Sequence, residues 1–477
     1  MQQFTNFVNQ MDSAIWSIFL VLLCLGAGLY LSIRLKFPQV KYIKDMIKIL
    51  TTKEGEDKGI TPFQAFATTV GARVGMGNIA GIASAIFYGG PGAVFWMWII
   101  TFIGAASAFT ESTLGQAYKA RTKEGEFVGG PAYYIEKGLK CKPYAIIFAI
   151  VAFLGPGLLM PGVQINSLVT VVEDAFSINK ILVGVVCCAF LTFVVFGSIK
   201  RIAKLAELLA PLMCMIYILF ALVIMVSHIT QIPGVLLMIV RSAFGLYPLL
   251  GGIIGSSISW GVKRGIYSNE AGMGCGAIVS AAAECSHPAQ QGLIQAFSIY
   301  VDTLFVGSAT AFILLLTGTF DVTDGAGNLL ISNTGGIESG IKWTQYALTS
   351  TFGSWTGKAL AIIIFLFVFT SMTGYCYQAE ANIRYLTKDS KLAVTIGRII
   401  FIAASFFGAV ANADAMWAMG DIGYGLLAWA NIIAIILLAP KASAILKDYI
   451  AQKKSGGKLS FDPAKFGIDD ETGAWKK

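Results

Sequence analysis

The residues that could do chemistry gather in Thr68-Thr69-Val70-Gly71-Ala72-Arg73-Val74-Gly75-Met76-Gly77-Asn78-Ile79-Ala80-Gly81. This stretch lies inside an apolar run over residues 62–87. A helix needs roughly 20 such residues to cross a bilayer. Gly71, Arg73, Gly75, Gly77 and Asn78 interrupt the middle of the run. Glycine loosens a helix and leaves backbone groups uncovered. In hydrocarbon, uncovered groups persist only where they line a cavity or meet a ligand. A break at Gly75-Met76-Gly77-Asn78 therefore reads as a binding site made of backbone. The N–H groups that open a half-helix can receive a carboxylate. Freed carbonyls can receive a cation or an ammonium, so a zwitterionic amino acid would match both ends. Small residues also serve close helix packing, and spacing alone leaves that reading open.

The elements that must position this stretch are membrane helices. The chain has 477 residues, 56% hydrophobic and 13% charged, where soluble domains carry roughly 25% charged residues. Length therefore counts spans rather than domains. Eight Cys lie scattered in apolar runs with no metal or disulfide spacing, and there are only two His, His228 and His287. That supply is too small for a metal enzyme. No P-loop is present, so no nucleotide is expected. A membrane enzyme would need His, Asp or Cys clustered at one depth, and a channel a charged ring; neither pattern is visible.

Read in order, apolar segments at 14–33, 62–87, 93–117, 144–171, 181–199, 205–227, 249–264, 291–316, 359–381, 396–410 and 416–438 predict eleven transmembrane helices. The first lacks the basic start and cleavage site of a signal peptide. Arg34, Lys36, Lys41, Lys44, Lys48, Lys53 and Lys58 mark the next linker as cytoplasmic. Of the 35 Lys and Arg, all but Arg73, Lys180, Arg241, Lys342 and Lys358 fall in segments read as cytoplasmic or at inner span ends. The reading is an all-α polytopic membrane protein with its N-terminus outside and C-terminus in the cytoplasm. The net charge of +8 belongs to that topology and not to nucleic acid. Three segments follow: 1–61 with the first helix and basic linker, 62–440 as the ten-helix core, and 441–477 as a cytoplasmic tail.

The seventh span is expected to break at Gly251-Gly252 and Gly255-Ser256-Ser257, and to end near Lys263-Arg264. Ser268-Asn269-Glu270 lies either at its inner end or at the break itself. The second and seventh spans are five apart and so run in opposite directions. Five plus five spans, each set opening on a broken helix, is an inverted repeat used by sodium-coupled transporters. Arg73 and Asp302 each lie about eleven residues into an outward-running span, roughly 15 Å deep at 1.5 Å per residue. A lone charge there is costly, so the two are expected to pair as gating or coupling charges. Glu111 and Glu380, nearer inner ends, read as snorkelling groups.

Five motifs, in order, resemble the alanine or glycine:cation symporter family: Gly77-Asn78-Ile79-Ala80-Gly81, residues 89–98, Gly129-Gly130-Pro131, Ser268-Asn269-Glu270-Ala271-Gly272 and Asp302-Thr303-Leu304. The resemblance covers residues 60–440. It implies a leucine-transporter-like fold, a prokaryotic inner membrane, and sodium-driven uptake of a small neutral amino acid, alanine or glycine. It also implies that Gly75, Met76, Gly77 and Asn78 form the substrate cradle, with Gln164 and Tyr375 facing the substrate. A sodium ion would sit between the Ala72 and Gly75 carbonyls and the Thr370 and Ser371 hydroxyls. Met76 and Tyr375 depart from the Thr and Trp common in the family, so glutamine or serine remains the alternative substrate; protons, used by such carriers as a class, are the alternative coupling ion.

Overall fold

A computed structural model describes residues 2–51, 59–122, 124–196, 199–247 and 250–475. Lys53, Lys58, Lys123 and Leu249 lie outside the described residues. The chain opens with α1 (Gln2–Ile15) and α2 (Ile18–Arg34), 42° apart. The run at 62–87 folds as α3 (Pro62–Arg73) and α4 (Met76–Gly89), bent by 40°. Then come α5 (Gly92–Ala117), α6 (Lys142–Phe176), α7 (Lys180–Val195), α8 (Ile199–Ser227) and α9 (Ile232–Ala243). The second half holds α10 (Ile254–Asn269), α11 (Cys275–Ala281), α12 (Pro288–Thr317) and α13 (Ile341–Phe352). It closes with α14 (Trp355–Thr387), α15 (Lys391–Val410) and α16 (Ala413–Ser455).

Among the described residues seven helices are long and apolar enough to cross a membrane, or nine when each bent pair counts as one span. The protein is thus a multi-pass membrane protein. Phe19 on α2, Phe193 on α7 and Leu208 on α8 stand largely exposed. Such an apolar belt is stable against lipid and would be a liability in water.

Local chemistry sets the helix ends around the first break. Thr61 Oγ1 accepts from the Gln64 N–H at 3.1 Å, and Gln64 Oε1 accepts from the Thr61 N–H at 3.1 Å. Pro62 occupies the first helical position, where no N–H is needed. This capping box starts α3. This helix packs on α8 and α14, and α4 packs on α10 and α13.

The second break lies elsewhere than Gly251-Gly252 or Gly255-Ser256-Ser257. Gly251–Ile253 is one 3-10 turn that leads into an uninterrupted α10. A glycine inside a helix costs about 1 kcal/mol and need not break it. The chain leaves the helical path at Glu270, Gly272 and Gly274, with φ of 53°, 84° and 87°. Lys263 and Arg264 therefore do not end a span. They are buried within α10, where Lys263 pairs with Asp12 and Asp421 at 2.7 and 2.8 Å and Arg264 with Asp421 at 2.6 Å. Paired charges of this kind carry no information on topology.

One packing contact fixes α6 against α15. A Cβ on Gly408 would fall 2.5 Å from the Gly162 Cα, and the Asn166 amide donates to the Gly408 and Ala411 carbonyls at 2.9 and 3.0 Å. The last helix, α16, runs past the expected limit of 438 to Ser455, and the tail folds back on it, where Lys441 donates to the Phe466 carbonyl and Lys465 pairs with Asp448. Phe461, Phe466 and Trp475 form an aromatic cluster. The Lys119 ammonium lies over the Phe127 and Trp475 rings at 4.1 and 4.3 Å and donates to the Ala283 carbonyl. Burial pulls its pKa down to about 8. His287 caps α12: its Nδ1 accepts from the Ala289 N–H at 3.2 Å, so Nε2–H is the donor to Asp448 Oδ2 at 3.3 Å.

That arrangement holds His287 neutral, and burial pushes its pKa down to about 4, outweighing Asp448, which pulls it up. The unfolded chain binds this proton near pH 6.5 and the folded one only near pH 4, so the stabilisation is whole above pH 6.5 and is lost as pH falls through that window. The shift is worth roughly 3 kcal/mol at most. The thermal midpoint should fall between pH 6.5 and 4, and His287→Gln should flatten that slope; equal slopes would remove His287 from the account.

Candidate functional site

The first break converts helix ends into a polar junction. Between α3 and α4, Val74 and Gly75 leave the Gly75 and Met76 N–H groups without helical acceptors. The Gly75 N–H donates to Asn78 Oδ1 at 3.3 Å, and the Met76 N–H donates to Gln164 Oε1 at 3.2 Å. Asn78 in turn donates to Ser268 Oγ at 2.7 Å and to the Asp302 carbonyl at 2.8 Å. The first break is thereby tied to α10 and α12. Gln164 reaches it from α6 and also donates to the Tyr375 hydroxyl at 3.2 Å. Gly75, Met76, Asn78, Gln164 and Tyr375, five of the six residues expected at the cradle, therefore meet in one buried place, while Gly77 packs against Tyr267 of α10. Gly75 is required by close approach: a Cβ there would lie 2.7 Å from Ser371 Oγ and 2.9 Å from Gln164 Oε1.

Of the four expected cation ligands, the structure brings Ser371 to the break. Its hydroxyl donates to the Gly71 and Val74 carbonyls, at 3.2 and 3.4 Å, rather than to those of Ala72 and Gly75. The Thr370 hydroxyl donates back to Leu366 and Phe367 of its own helix, both at 3.0 Å, as threonines in helices commonly do. Its Cβ nonetheless packs close to Gly71. The hard oxygens at this corner are thus the Ser371 hydroxyl and the last carbonyls of α3, where the helix dipole is negative.

The charges sort differently from expectation. Arg73 and Asp302 do not form an ion pair. The Arg73 guanidinium donates to Ser298 Oγ at 2.6 Å, and its nearest carboxylate oxygen is Glu270 Oε2 at 3.9 Å. Asp302 instead accepts from the Thr303 hydroxyl, which also meets Ser268 Oγ at 2.9 Å. Matching depth did not fix partners because helix rotation decides which side chains face. Glu111 does not snorkel. It is fully buried, and its Oε2 accepts from the Gly274 N–H and the Asn431 amide, at 2.9 and 3.0 Å.

Tyr424 is the site residue that sequence reasoning missed. Its hydroxyl shares a 2.6 Å bond with Tyr375 and donates to Glu270 Oε1 at 3.3 Å. A chain of contacts thus runs from the Met76 N–H through Gln164, Tyr375 and Tyr424 to Glu270. It joins one break to the other. A tyrosine inside a long apolar helix gives no signal of such a role. Outside the junction, a cavity of about 550 Å³ reaches Ala80, Asn166 and Trp417.

The family model described as "Sodium:alanine symporter family" matches residues 1–463. The chain belongs to this family. Among relatives, YrbD of Bacillus subtilis (strain 168) is 46% identical over 474 residues, 99% of this chain and 98% of the relative. The "Sodium/proton-dependent alanine carrier protein" of Bacillus sp. (strain PS3) is 43% identical over 431 residues, 89% of this chain and 95% of the relative. The crystal structure of MhsT in complex with L-phenylalanine is similar with a TM-score of 0.56 at 14% identity, over 82% of this chain and 99% of that one. This likeness shows a shared fold.

Gly75→Ala tests the junction. The new methyl would press on the Ser371 hydroxyl and the Gln164 amide, two side-chain ends that can give. Overpacking of this order costs about 1–3 kcal/mol. The variant should fold with a lowered thermal midpoint and lose at least tenfold in substrate affinity. Unaltered affinity would place the ligand away from Gly75.

Proposed function

We propose that this family member is a secondary active symporter, not an enzyme, that carries alanine or glycine inward down a sodium gradient by alternating access. The carrying observation is the junction at Gly75-Met76, where freed N–H groups, the Gln164 amide and the Ser371 hydroxyl converge. Gln164 Oε1 accepts there as a carboxylate would. A substrate carboxylate would displace it and take the Met76 N–H. The substrate ammonium would face carbonyls at the end of α3, with Asn78 holding the half-helices in register. Met76 and the Tyr375 ring leave little depth for a side chain, which favours a small one.

In this reading sodium is cargo. Ser371 and the carbonyls of residues 71–75 hold it, with Thr370 turning in from α14. The dipole at the C-terminal end of α3 favours a cation at the same corner. The proposal includes eleven spans in a 5+5 inverted repeat over residues 62–440, in a prokaryotic plasma membrane, with the N-terminus outside and the C-terminus in the cytoplasm. Two breaks, at Val74-Gly75 in the first half of the chain and at 270–274 in the second, support it. Glutamine is the second substrate reading, favoured by the "Probable sodium/glutamine symporter GlnT" of Bacillus subtilis (strain 168), 44% identical over 455 residues.

Uptake of labelled alanine into proteoliposomes should saturate and should vanish when choline replaces sodium at fixed pH. Persistence in choline would sink sodium coupling. Ser371→Ala should raise the sodium concentration for half-maximal uptake about tenfold, or about 1.4 kcal/mol. Asn78→Ala and Gln164→Ala should weaken alanine binding more than they lower protein abundance. Tyr375→Ala should admit larger neutral amino acids as competitors; an unchanged competitor profile would make Tyr375 a packing residue.

A further inference from the structure

The fold buries more acid than base around the second break. Glu111 on α5, Glu270 in the break and Asp302 on α12 are all fully buried. Among the described residues the guanidinium that acts on all three is that of Arg73. Were every acid ionised, two negative charges would stand uncompensated in the interior, each costing several kcal/mol. No group of three or more His, Cys, Asp or Glu among the described residues has the geometry to hold a metal ion. Glu270 lies nearest Arg73 and takes it as counter-ion. Glu111 and Asp302 are left over.

Asp302 Oδ2 and Glu111 Oε1 are both buried without a protein partner, and what singles out Glu111 is its company. Arg73 Nη2, Glu111 Oε1 and Ser112 Oγ are buried without protein partners. They converge on Gly276, where a Cβ would fall 2.6, 3.5 and 3.5 Å from them. Further along α5 and α11, Gln116 Oε1 and Ser280 Oγ are also buried and unpartnered. The Gln116 amide donates to the Ser280 and Ala283 carbonyls, and Ala283 accepts from Lys119 at the end of α5. Buried polar atoms without protein partners call for water or for a proton shared between them. A run of them thus leads from Glu111 toward the Lys119 end of the bundle.

We propose that Glu111 is a proton-binding site, separate from the cation corner at Ser371, that exchanges its proton with water along this run. An O–H bond forms at Glu111 Oε1 with a proton taken from water, and breaks when the proton returns to water. Oε2 stays bonded to Gly274 and Asn431 in either form. The groups that face Glu111 are Arg73 from α3, Glu270 from the break, Cys275 from α11, Tyr134 from the helix Pro131–Gly138, and Tyr424 by way of Glu270. The contacts from Tyr424 to Met76 tie the proton site to the cradle. The inference rests on the symport reading only for that link to substrate.

Infrared difference spectra of the lipid-embedded full chain, recorded from pH 9 to pH 5 with deuterium exchange, test the site without substrate. A carboxylic-acid band should titrate in the unmutated protein and be lost in Glu111→Gln. Identical bands in both would overturn the proposal. Should Glu111→Gln not fold, Glu111→Asp keeps the acid and must shift the band. Calorimetry of sodium-dependent alanine binding in two buffers of different ionisation enthalpy tests the link. Unequal heats are expected, and equal heats at pH 6 and pH 8 would break it. Absence of alanine binding would instead sink the substrate reading, and the infrared result would still decide on Glu111.

Discussion

Inside hydrocarbon no backbone amide can turn to water for a partner. The rest of this structure is arranged around that constraint. Two helices are broken, and each broken end needs acceptors and donors brought from other helices. At the first break Gln164 and Ser371 come from α6 and α14, and Asn78 from the break itself. At the second, Glu111 and Asn431 come from α5 and α16 and cover Gly274 and Gly272. A carrier of this type needs partners that can be exchanged for a ligand, and side-chain amides and hydroxyls meet that need better than fixed carbonyls.

How much of this was legible depends on the kind of signal. The first break was visible because glycines, Asn78 and Arg73 stand in an otherwise apolar run. For the second, the structure meets the alternative at Ser268-Asn269-Glu270 and not the glycine pairs at 251–257, because glycine alone does not tell a helical position from one with positive φ. Gly252 and Gly272 look alike in the sequence, and only the fold shows which of them turns left-handed. Lys263 and Arg264 misled for an electrostatic reason. A basic pair usually marks the inner end of a span, but here Asp12 and Asp421, distant in sequence, neutralise it. The docked tail was signalled only by Phe461, Phe466 and Trp475 among polar neighbours. Long-range pairing of this sort is set by how helices are rotated, which periodicity does not report.

Buried polar groups also explain why the two breaks behave as one unit. Asn78 touches both α10 and α12, and the contacts through Tyr375 and Tyr424 cross the core a second way. A movement of either half-helix must therefore be felt by the other. Networks of this kind rigidify when fully satisfied and become costly when one member is lost. The residues proposed to bind are thus those that tie the helices together.

The Gly162–Gly408 contact carries this logic to the edge of the bundle. Gln164 stands two residues from Gly162, and Phe407 and Val410, beside Gly408, are exposed on the apolar surface. Any force that spreads α15 from α6 pulls on the helix that presents the Gln164 amide to Met76. Lateral pressure in the bilayer, set by acyl-chain length and packing, acts on that seam. With the cargo bound at the proposed cradle, its affinity would depend on the lipid as well as on the pocket.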